Sequence, residues 1–376
     1  MAQPLASEIQ IPAQLLPRDG RFGCGPSRVR EDAVVRLAAA APGYLGTSHR
    51  QPGVRAVVGR IRHGLTSFFS LPEGYEVVLG NGGSTCFWDC ASFGLIERHS
   101  QHLAFGEFSS RFAATVKAAP HLSDPEVIES PPGTHPIPVA REDVDAYALT
   151  HNETSTGVAM DVRRPADASG LVLVDATSAA GGLRVDPSEL DVYYFAPQKC
   201  FASDGGLWVA VCSPAAVERI ERISAAGLWT PAFLDLKIAL DNSRLDQTYN
   251  TPALTTLFLF ADQLEWMLAS GGLEWAASRC DRSAIILYRW AEASPYASPF
   301  VDDPAQRSHV VGTIDLDQAV DAGVVSKVLR RHGVVDTEAY RKLGRNQLRI
   351  GMFPAVDPED VAALTRCIDH LAERLA

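Results

Sequence analysis

The chain has 376 residues, of which 46% are hydrophobic and 21% charged, and its net charge is −11. This composition is typical of a globular protein with two domains, and it argues against a nucleic-acid partner because no basic run alternates with aromatic residues. The N-terminus lacks a basic start followed by an apolar core, and no stretch reaches the roughly 18 to 20 apolar residues of a membrane span, so neither a signal peptide nor a membrane partner is predicted.

Apolar runs that are typical of buried strands alternate with helical patterns through the first two thirds of the chain. Strands are predicted at 75–80, 102–106, 146–152, 170–178, 191–199 and 206–212. These runs are apolar almost throughout, as strands buried on both faces of a sheet should be. Their alternation with helices predicts an α/β fold with a mostly parallel sheet covered by helices.

The pattern changes from about Thr255 onward. Two long helical patterns are followed by a strand, a helix, a short strand and a closing helix. This order predicts a smaller α+β domain. Asp357 is predicted to cap the closing helix, with Pro358 at its first position.

The cysteines predict the compartment. There are seven, an odd number, and they are scattered along the chain, which predicts reduced thiols in a cytoplasmic protein. Cys86 and Cys90 are four residues apart and could share a helix face. No second pair or nearby histidine completes a zinc site, so no metal is predicted.

Several side chains that could bind a ligand or take part in a reaction follow the predicted strands, where ligands bind in open α/β sheets. The stretch "NGGST" at 81–85 follows the first strand and precedes a helix. Its glycines allow a close backbone approach, and the helix N-terminus favours an anion such as phosphate. The residues that follow the other strands are Phe108, Thr154, Asp175, Gln198 and Lys199.

Each of these residues, taken alone, has a simple structural interpretation as a turn former, a cap or the edge of the core. Together they match the needs of pyridoxal phosphate. A lysine forms a Schiff base with its aldehyde, a carboxylate keeps its ring nitrogen protonated, and an aromatic face, a hydroxyl and a phosphate nest hold the rest. Such a lysine must also give up its proton, which burial favours.

Seven short motifs make this prediction specific. In chain order they are "FGCGPS", "SHR", "NGGST", "HNETSTGVAMD", "VDATS", "APQK" and "YNTP". Their order resembles that of the phosphoserine aminotransferases, class-V, fold-type I enzymes that depend on pyridoxal phosphate. The resemblance implies a homodimer with active sites at the subunit interface. Within each chain it implies a segment 1–20 that packs with the small domain, a large cofactor domain at 21–262 with a seven-stranded, mostly parallel sheet, and a small domain at 263–376.

The resemblance also implies roles for individual residues. The catalytic pair is Lys199, which carries the cofactor and moves the proton, and Asp175, which pairs with the ring nitrogen. The cofactor contacts are Ser84, Thr85 and Gln198 at the phosphate, Phe108 stacked on the ring, Thr154 at the phenolic oxygen, and Asn250 and Thr251 reaching the phosphate from the other subunit. The substrate contacts are His49 and Arg50 for the distal anion, Arg349 for the α-carboxylate, and Arg341 and Lys342 as a second basic pair.

The implied reaction transfers the amino group of L-glutamate to 3-phosphohydroxypyruvate, giving O-phospho-L-serine and 2-oxoglutarate, a step of serine biosynthesis. The alternatives are another class-V aminotransferase or a desulfurase-like enzyme with a different small anionic substrate, and a binding protein without turnover. A desulfurase needs a reactive cysteine on a mobile loop, whereas Cys280 and Cys367 lie in helical patterns. Activity on the phosphorylated hydroxythreonine of pyridoxine biosynthesis is a further hypothesis.

Overall fold

The computed structural model describes residues 9–375. Within them the strands are β1 (Glu76–Asn81), β2 (Ser100–Ala104), β3 (Glu126–Glu129), β4 (Ala146–Thr150), β5 (Asn152–Glu153), β6 (Val158–Ala159), β7 (Leu171–Asp175), β8 (Val192–Phe195), β9 (Leu207–Cys212), β10 (Ala297–Pro299), β11 (Val311–Leu316) and β12 (Gln347–Gly351). The α-helices are α1 (Glu31–Tyr44), α2 (Pro52–Phe68), α3 (Ser84–Gly94), α4 (Glu107–Ala118), α5 (Pro214–Ala225), α6 (Leu236–Arg244), α7 (Leu254–Ser270), α8 (Gly272–Ala293), α9 (Ala322–Arg331) and α10 (Pro358–Leu375). Short 3₁₀ turns lie at Ala13–Leu15, Pro187–Glu189, Pro304–Gln306 and Arg341–Leu343. Among the described residues, no helix combines the length and apolar character needed to cross a membrane.

The main sheet has seven strands in the order β1-β9-β8-β7-β4-β2-β3. The strand β9 runs against both of its neighbours, β1 and β8, whereas every other neighbouring pair is parallel. The carboxyl ends of β1, β2, β4, β7 and β8 therefore meet at one edge of the sheet. The predicted α/β class with a mostly parallel seven-stranded sheet is confirmed.

Both faces of this sheet are covered, which explains the almost continuous apolar runs of its strands. Every residue of β2, β4, β7, β8 and β9 is buried. Along β8, Tyr193 and Phe195 join the apolar cluster that contains α2 and α7, while Val192 and Tyr194 join the cluster on the other face with α3, α5 and α6. Successive strand residues point to opposite faces, so a strand between two helical layers needs apolar residues at every position.

Two helices that the strand pattern does not predict precede the first strand. In α2 the buried residues Val54, Val57, Ile61, Leu65 and Phe68 recur at helical spacing, and the helix packs against α7. In α1, by contrast, few apolar positions are buried and a proline lies inside the helix. The apolar face that α1 buries is therefore smaller than that of α2.

A three-stranded antiparallel sheet, β10-β11-β12, forms the centre of the smaller domain, and α8, α9 and α10 pack around it. Ile9 and Ile11 belong to the same apolar cluster, and the Cys367 thiol donates a hydrogen bond to the Leu15 carbonyl at 3.2 Å. Residues 1–8 of the predicted N-terminal segment lie outside the described residues. The predicted division between 262 and 263 falls inside the continuous helix α7, and the domain boundaries remain a prediction.

The closing helix begins as its sequence predicts. Pro358 is the first residue of α10, and the Asp357 carboxylate accepts the backbone N–H of Glu359 at 3.0 Å. A side-chain acceptor at this position satisfies one of the N–H groups that lack a partner in the first turn of a helix.

Four predicted strands end earlier than their sequence suggests: the run 102–106 ends at Ala104, the run 170–178 ends at Asp175, and two further runs stop short as well. The run 191–199 is a strand only up to Phe195, and the run 146–152 is interrupted after Thr150. After β8 the chain closes a turn in which the N–H of Ala202 bonds to the Lys199 carbonyl and the N–H of Ser203 bonds to the Pro197 carbonyl. Pro197 has no N–H to continue the ladder. Lys199 therefore lies on a tight turn beyond the strand end.

Candidate active site

A cavity of about 450 Å³ opens at the edge of the main sheet where the parallel strands end. The predicted residues that line it are Ser84, Thr85, Phe108, Thr154, Asp175, Gln198, Lys199 and Arg349. They come from six separate stretches of the chain, and the shared direction of β1, β2, β4, β7 and β8 brings five of these stretches together. Arg349 arrives from the small domain, on β12.

Lys199 is buried at the floor of this cavity, with 7% of its surface exposed. Its Nζ donates a hydrogen bond to Thr154 Oγ1 at 2.8 Å and lies 5.4 Å from the centre of the Phe108 ring. Burial lowers the pKa of the Lys199 amine to about 8, and the Asp175 carboxylate partly offsets this effect. A substantial fraction of the amine is therefore neutral near physiological pH, as a nucleophilic amine requires.

The "FGCGPS" stretch, residues 22–27, holds the turn that carries Lys199. Ser27 Oγ donates to the Lys199 carbonyl at 2.6 Å, and the Ser27 N–H donates to the Gln198 carbonyl at 2.8 Å. A Cβ at Gly25 would lie 2.7 Å from Lys199 Cε, and Gly25 has a φ of +140°. Glycine is therefore required at this position both for its backbone conformation and for the space of the lysine side chain.

The Thr154 hydroxyl accepts the hydrogen bond from Lys199 because it donates its own hydrogen to a different neighbour. Thr154 Oγ1 donates to Ser178 Oγ at 2.8 Å, and Ser178 Oγ donates in turn to the Asn152 carbonyl at 3.0 Å. Asn152 Nδ2 also donates to Ser178 Oγ. This chain of bonds leaves the second lone pair of Thr154 Oγ1 directed at the lysine.

Glu153 is a fully buried carboxylate at the N-terminus of α4. It accepts the backbone N–H groups of Phe108 and Ser109, at 3.1 and 2.9 Å, together with the Ser109 hydroxyl and both the N–H and the hydroxyl of Ser155. Burial raises the pKa of Glu153, and these donors work against that rise. The carboxylate satisfies the free N–H groups of the helix and so fixes the backbone of Phe108 at the cavity wall.

The turn between β1 and α3 forms another wall. Gly82 and Gly83 have φ values of +114° and +80°, and a Cβ at Gly83 would meet no atom closer than 4.0 Å. The Gly83 position is therefore open toward the cavity, and the first N–H groups of α3 are available to an anion. Ser84 Oγ accepts the Thr177 hydroxyl at 2.7 Å.

Asp175 ends β7 with its carboxylate toward the same space. Its Oδ1 accepts the backbone N–H of Thr177 at 2.9 Å, and its Oδ2 accepts the indole N–H of Trp88 at 3.2 Å. Only 6% of Asp175 is exposed. The carboxylate is therefore oriented by donors on two sides and leaves its remaining lone pairs to the cavity.

Arg349 lies over the opposite side of the cavity. Its guanidinium is 5.2 Å from the centre of the Tyr340 ring, a cation–π arrangement, and its Nη1 donates to the Thr154 carbonyl at 3.3 Å. Its Nε is buried and has no hydrogen-bond partner within residues 9–375. The same holds for Gln198 Oε1 and Asn152 Oδ1, which also line the cavity. Buried polar atoms without partners are rare, so three of them around one cavity indicate a polar ligand.

Six of the predicted residues do not line the cavity. Four of them form a separate group, the surface cluster: His49, Arg50, Asn250 and Thr251. The Thr251 hydroxyl lies 3.2 Å from His49 Nδ1, and the Thr251 carbonyl accepts Asn81 Nδ2 at 3.2 Å. Arg50 Nη1 donates to Gln247 Oε1 at 2.7 Å. Arg50, Asn250 and Thr251 are exposed, and burial together with Arg50 lowers the pKa of His49.

Arg341 and Lys342 lie on an exposed turn beside the cavity. Lys342 forms an ion pair with Glu107, the first residue of α4. Both residues are exposed, and neither lines the cavity that contains Lys199. Tyr340, immediately before them, does line it. The role of Arg341 and Lys342 in substrate binding remains a prediction.

Comparison with known proteins identifies the family. The profile of the family described as aminotransferase class-V matches residues 89–364. The chain is 61% identical over 374 residues to a protein from a Nocardioides species named phosphoserine aminotransferase, covering 99% of this chain and 100% of the relative. A Rhodococcus jostii protein of the same name is 60% identical over 366 residues, covering 97% of this chain and 98% of the relative.

The chain belongs to the class-V aminotransferase family. Solved structures agree on its fold: a phosphoserine aminotransferase from Cytophaga hutchinsonii matches with a TM-score of 0.85 at 24% identity, covering 93% of this chain and 99% of that chain. An aspartate aminotransferase from Thermus thermophilus matches with a TM-score of 0.80, also at 24% identity, covering 94% and 99%. The fold is therefore shared by enzymes named for different substrates and does not choose among them.

The predicted family, the transaminase class and the dependence on pyridoxal phosphate are thus confirmed. The cavity of this class-V aminotransferase fits that cofactor on structural grounds. The open glycine turn can take a phosphate, Asp175 can face a ring nitrogen, and the buried amine of Lys199 can react with an aldehyde. The unpartnered Gln198 Oε1 and Asn152 Oδ1 supply further polar contacts for a ligand in this space.

Among the cavity residues of this class-V aminotransferase that the sequence-based prediction misses, three have contacts that explain their place. Trp88 is four residues after Ser84 and therefore lies on the same face of α3, a helical spacing that could have identified it. Tyr340 immediately precedes the predicted pair Arg341 and Lys342. Gly25 lies in "FGCGPS", a motif that was noted without a role, and only the contact with Lys199 explains it.

Proposed function

We propose that this protein transfers the amino group of L-glutamate to 3-phosphohydroxypyruvate, giving O-phospho-L-serine and 2-oxoglutarate. The observation that carries the proposal is the identity of about 60% over nearly the whole chain with proteins named phosphoserine aminotransferase. The cavity adds the chemistry: a buried amine, an oriented carboxylate and a guanidinium with an unpartnered Nε surround one space.

The roles proposed for the buried residues follow from their contacts. When bound, pyridoxal phosphate supplies the aldehyde that accepts the amino group and the ring that takes up electrons released at the substrate carbon. Lys199 would hold the cofactor between turnovers and, while a substrate is bound, would take and return a proton at its freed Nζ. Thr154 orients that Nζ through the 2.8 Å bond to its Oγ1. Phe108 supplies an apolar face, and Asp175 supplies the charge that stabilises a protonated ring nitrogen.

Arg349 is proposed to bind the α-carboxylate that both amino donor and acceptor carry. Its guanidinium already has one face covered by Tyr340 and one Nη bound to the Thr154 carbonyl, so its position is set before a substrate arrives. The planar fork of arginine suits a carboxylate because it donates two parallel hydrogen bonds. Substrate binding would also satisfy the buried Nε.

We further propose a homodimer in which the surface cluster completes the cavity of the other subunit. His49, Arg50, Asn250 and Thr251 do not line the cavity of their own chain. The surface beside them carries exposed apolar side chains, among them Phe233, Leu245 and Tyr249, with between 45% and 57% of their surfaces exposed. Exposed apolar residues that lie together mark interaction surfaces, and two cationic or polar residues there would suit the distal anion of either substrate.

A complementation experiment tests the shared site. Chains with Lys199→Ala and chains with Arg50→Ala are co-expressed with different tags, and the mixed dimer is isolated. We expect the mixed dimer to regain activity, because one of its sites combines an intact Lys199 with an intact Arg50. A mixed dimer no more active than the average of the two parents, or a protein that stays monomeric in analytical ultracentrifugation, would rule the shared site out.

The reaction itself is tested with the purified protein and added cofactor. We expect formation of phosphoserine from glutamate and 3-phosphohydroxypyruvate, with a higher kcat/KM than for acceptors that lack the phosphate. If an unphosphorylated acceptor were preferred, the protein would be another class-V aminotransferase. If sulfur were released from cysteine, it would be desulfurase-like, and if no donor were turned over it would be a binding protein. The same assay with the phosphorylated hydroxythreonine tests a role in pyridoxine biosynthesis.

A cytoplasmic location is also proposed. Its support is that all seven cysteines are free thiols and six of them are buried, since unpaired buried thiols are typical of reducing compartments. Fractionation of producing cells, followed by immunodetection, is the measurement. Recovery of the protein in an extracellular or membrane fraction would contradict the proposal.

A further inference from the structure

Two aromatic residues that bear polar groups meet at the Asp175 carboxylate: Trp88, which also lines the cavity, and Tyr194. Trp88 Nε1 lies 3.2 Å from Asp175 Oδ2 and 3.1 Å from the hydroxyl of Tyr194. Trp88 is 3% exposed and Tyr194 is fully buried. Both rings are held by other aromatic residues: Trp88 stacks with Phe112, and Tyr194 stacks with Phe87 at 4.4 Å between ring centres.

The direction of these hydrogen bonds follows from the groups themselves. An indole N–H can only donate. Burial and the nearby Asp175 carboxylate keep the pKa of Tyr194 well above its ordinary value, so this hydroxyl stays protonated. Trp88 therefore donates both to Asp175 Oδ2 and to the Tyr194 hydroxyl, and it links the carboxylate to the tyrosine that is paired with Asp175 across β7 and β8.

We propose that Trp88 and Tyr194 are positioning residues that hold the Asp175 carboxylate in the orientation in which it meets the ring nitrogen of the cofactor. This inference rests on the proposed role of Asp175. A carboxylate held in this orientation would place its charge beside the ring nitrogen, and an opposite charge at close range favours the protonated nitrogen that the proposed reaction requires.

The chain offers a matched control for Trp88. Trp208 is also a buried tryptophan of the same apolar cluster, and it packs against Phe87. Its Nε1 is buried but has no hydrogen-bond partner within residues 9–375. The change Trp208→Phe thus removes the same atoms from the same core without removing a bond to Asp175.

The test is a double-mutant cycle on the holoenzyme with Trp88→Phe and Asp175→Asn, read as the dissociation constant of pyridoxal phosphate. Trp88→Phe alone should weaken binding by about tenfold, the usual effect of losing one hydrogen bond to a charged group. In the Asp175→Asn background it should have no further effect, because Trp88 acts through the carboxylate. Equal effects in both backgrounds, or an effect no larger than that of Trp208→Phe, would overturn the proposal.

A second variant and a spectroscopic readout guard against a simple folding defect. Tyr194→Phe keeps the stack on Phe87 and removes only the hydroxyl. With cofactor labelled at the ring nitrogen with ¹⁵N, both Trp88→Phe and Tyr194→Phe should move the nitrogen resonance toward that of the unprotonated ring, whereas Trp208→Phe should not. An unchanged resonance in both variants would refute the inference. Neither measurement needs a substrate, so each stands even if phosphoserine is not the product.

Discussion

The residues assigned to the site by sequence fall into two regions that are built differently. In the cavity, Lys199, Thr154 and Asp175 are less than 8% exposed and are bound to neighbours of the same chain. In the surface cluster, Arg50, Asn250 and Thr251 are exposed; Arg50 donates a hydrogen bond to Gln247, and the Thr251 hydroxyl contacts His49. Both regions come from strongly recognisable motifs, so the motifs alone do not distinguish them.

The difference shows which contacts position the side chains of each region. Burial makes the cavity residues depend on the fold of one chain, since every polar group there needs a partner or a ligand. The surface cluster bears no such constraint from its own chain, and we propose that a second subunit supplies it. Changes in the cavity should therefore alter chemistry and stability together, whereas changes in the surface cluster should alter the binding of substrate or cofactor and leave the stability of the chain unchanged.

The largest expected effect is the loss of the amine in the cavity. Lys199→Ala should lower kcat by at least about 10⁴-fold, because nucleophile and proton carrier are removed together. Borohydride reduction of the holoenzyme and peptide mapping should find the label on Lys199 and none in the variant. A label on another lysine would mean that Lys199 does not carry the cofactor and that the active site lies elsewhere.

A change at Glu153 tests whether the cavity region couples stability to chemistry. Glu153→Gln turns an amide N–H₂ toward donors that need acceptors, which should cost about 2 to 4 kcal/mol of unfolding free energy. Because Phe108 is held by that carboxylate, cofactor affinity should also fall. Urea denaturation measures the first effect, with the exposed Glu142→Gln as control. Equal stability of the two variants would contradict the role given to Glu153.

The buried amine should make the cofactor-free protein less stable than a variant without it. The pKa of Lys199 falls from an ordinary value of 10.5 to about 8, so the charged form is disfavoured in the folded state. At pH 7 this costs roughly 3 kcal/mol, and the cost disappears as the pH rises from 8 to 10.5. Lys199→Met should therefore be the more stable protein at pH 7, with the difference shrinking at pH 10.

Urea unfolding of both proteins without cofactor, at the two pH values, measures this difference. Other groups titrate equally in the two proteins and cancel in the comparison. A difference that stays constant with pH would mean that burial does not lower the pKa of Lys199 in the folded protein.

A change in the surface cluster should leave stability unaltered and weaken substrate binding. Arg50→Ala should raise KM for both glutamate and the phosphorylated acceptor by about tenfold, the loss of one charge-assisted contact, with an unchanged unfolding free energy. Arg55→Ala, at a nearby exposed arginine whose Nε donates to the Leu245 carbonyl, is the control. An unchanged KM for both substrates would exclude Arg50 from the site.

The smallest effect is expected at the exposed turn beside the cavity. The ion pair of Lys342 with Glu107 is largely solvent-exposed on the lysine side, so Lys342→Ala should change stability by less than about 1 kcal/mol. The predicted substrate role is tested by KM: a rise for Arg341→Ala or Lys342→Ala would support it. Wild-type KM values for both variants would leave Arg349 as the basic group that the small domain supplies.

The sequence predicts the contents of the cavity well because strand ends are local features. Lys199, Asp175 and Phe108 each follow an apolar run, and the rule that ligands bind beyond carboxyl ends of parallel strands puts them together. The exact end of a strand is less predictable: β8 stops at Phe195, four residues before the lysine. The sequence stays apolar beyond the last hydrogen bond between β8 and its neighbours, so only the hydrogen bonds of the structure show that a turn begins there.

By itself, the sequence determined the α/β class, the family resemblance and the residues that reach the sheet edge, since periodicity and motif order can be read from residues that are close together in the chain. Only the tertiary structure decided which partners fix them. Trp88 meets Asp175 across 87 residues, Glu153 reaches the start of α4 across 44 and 45, and Gly25 makes room for Lys199. Such contacts depend on how distant segments pack, and hydrogen bonds and excluded volume between them leave no local pattern.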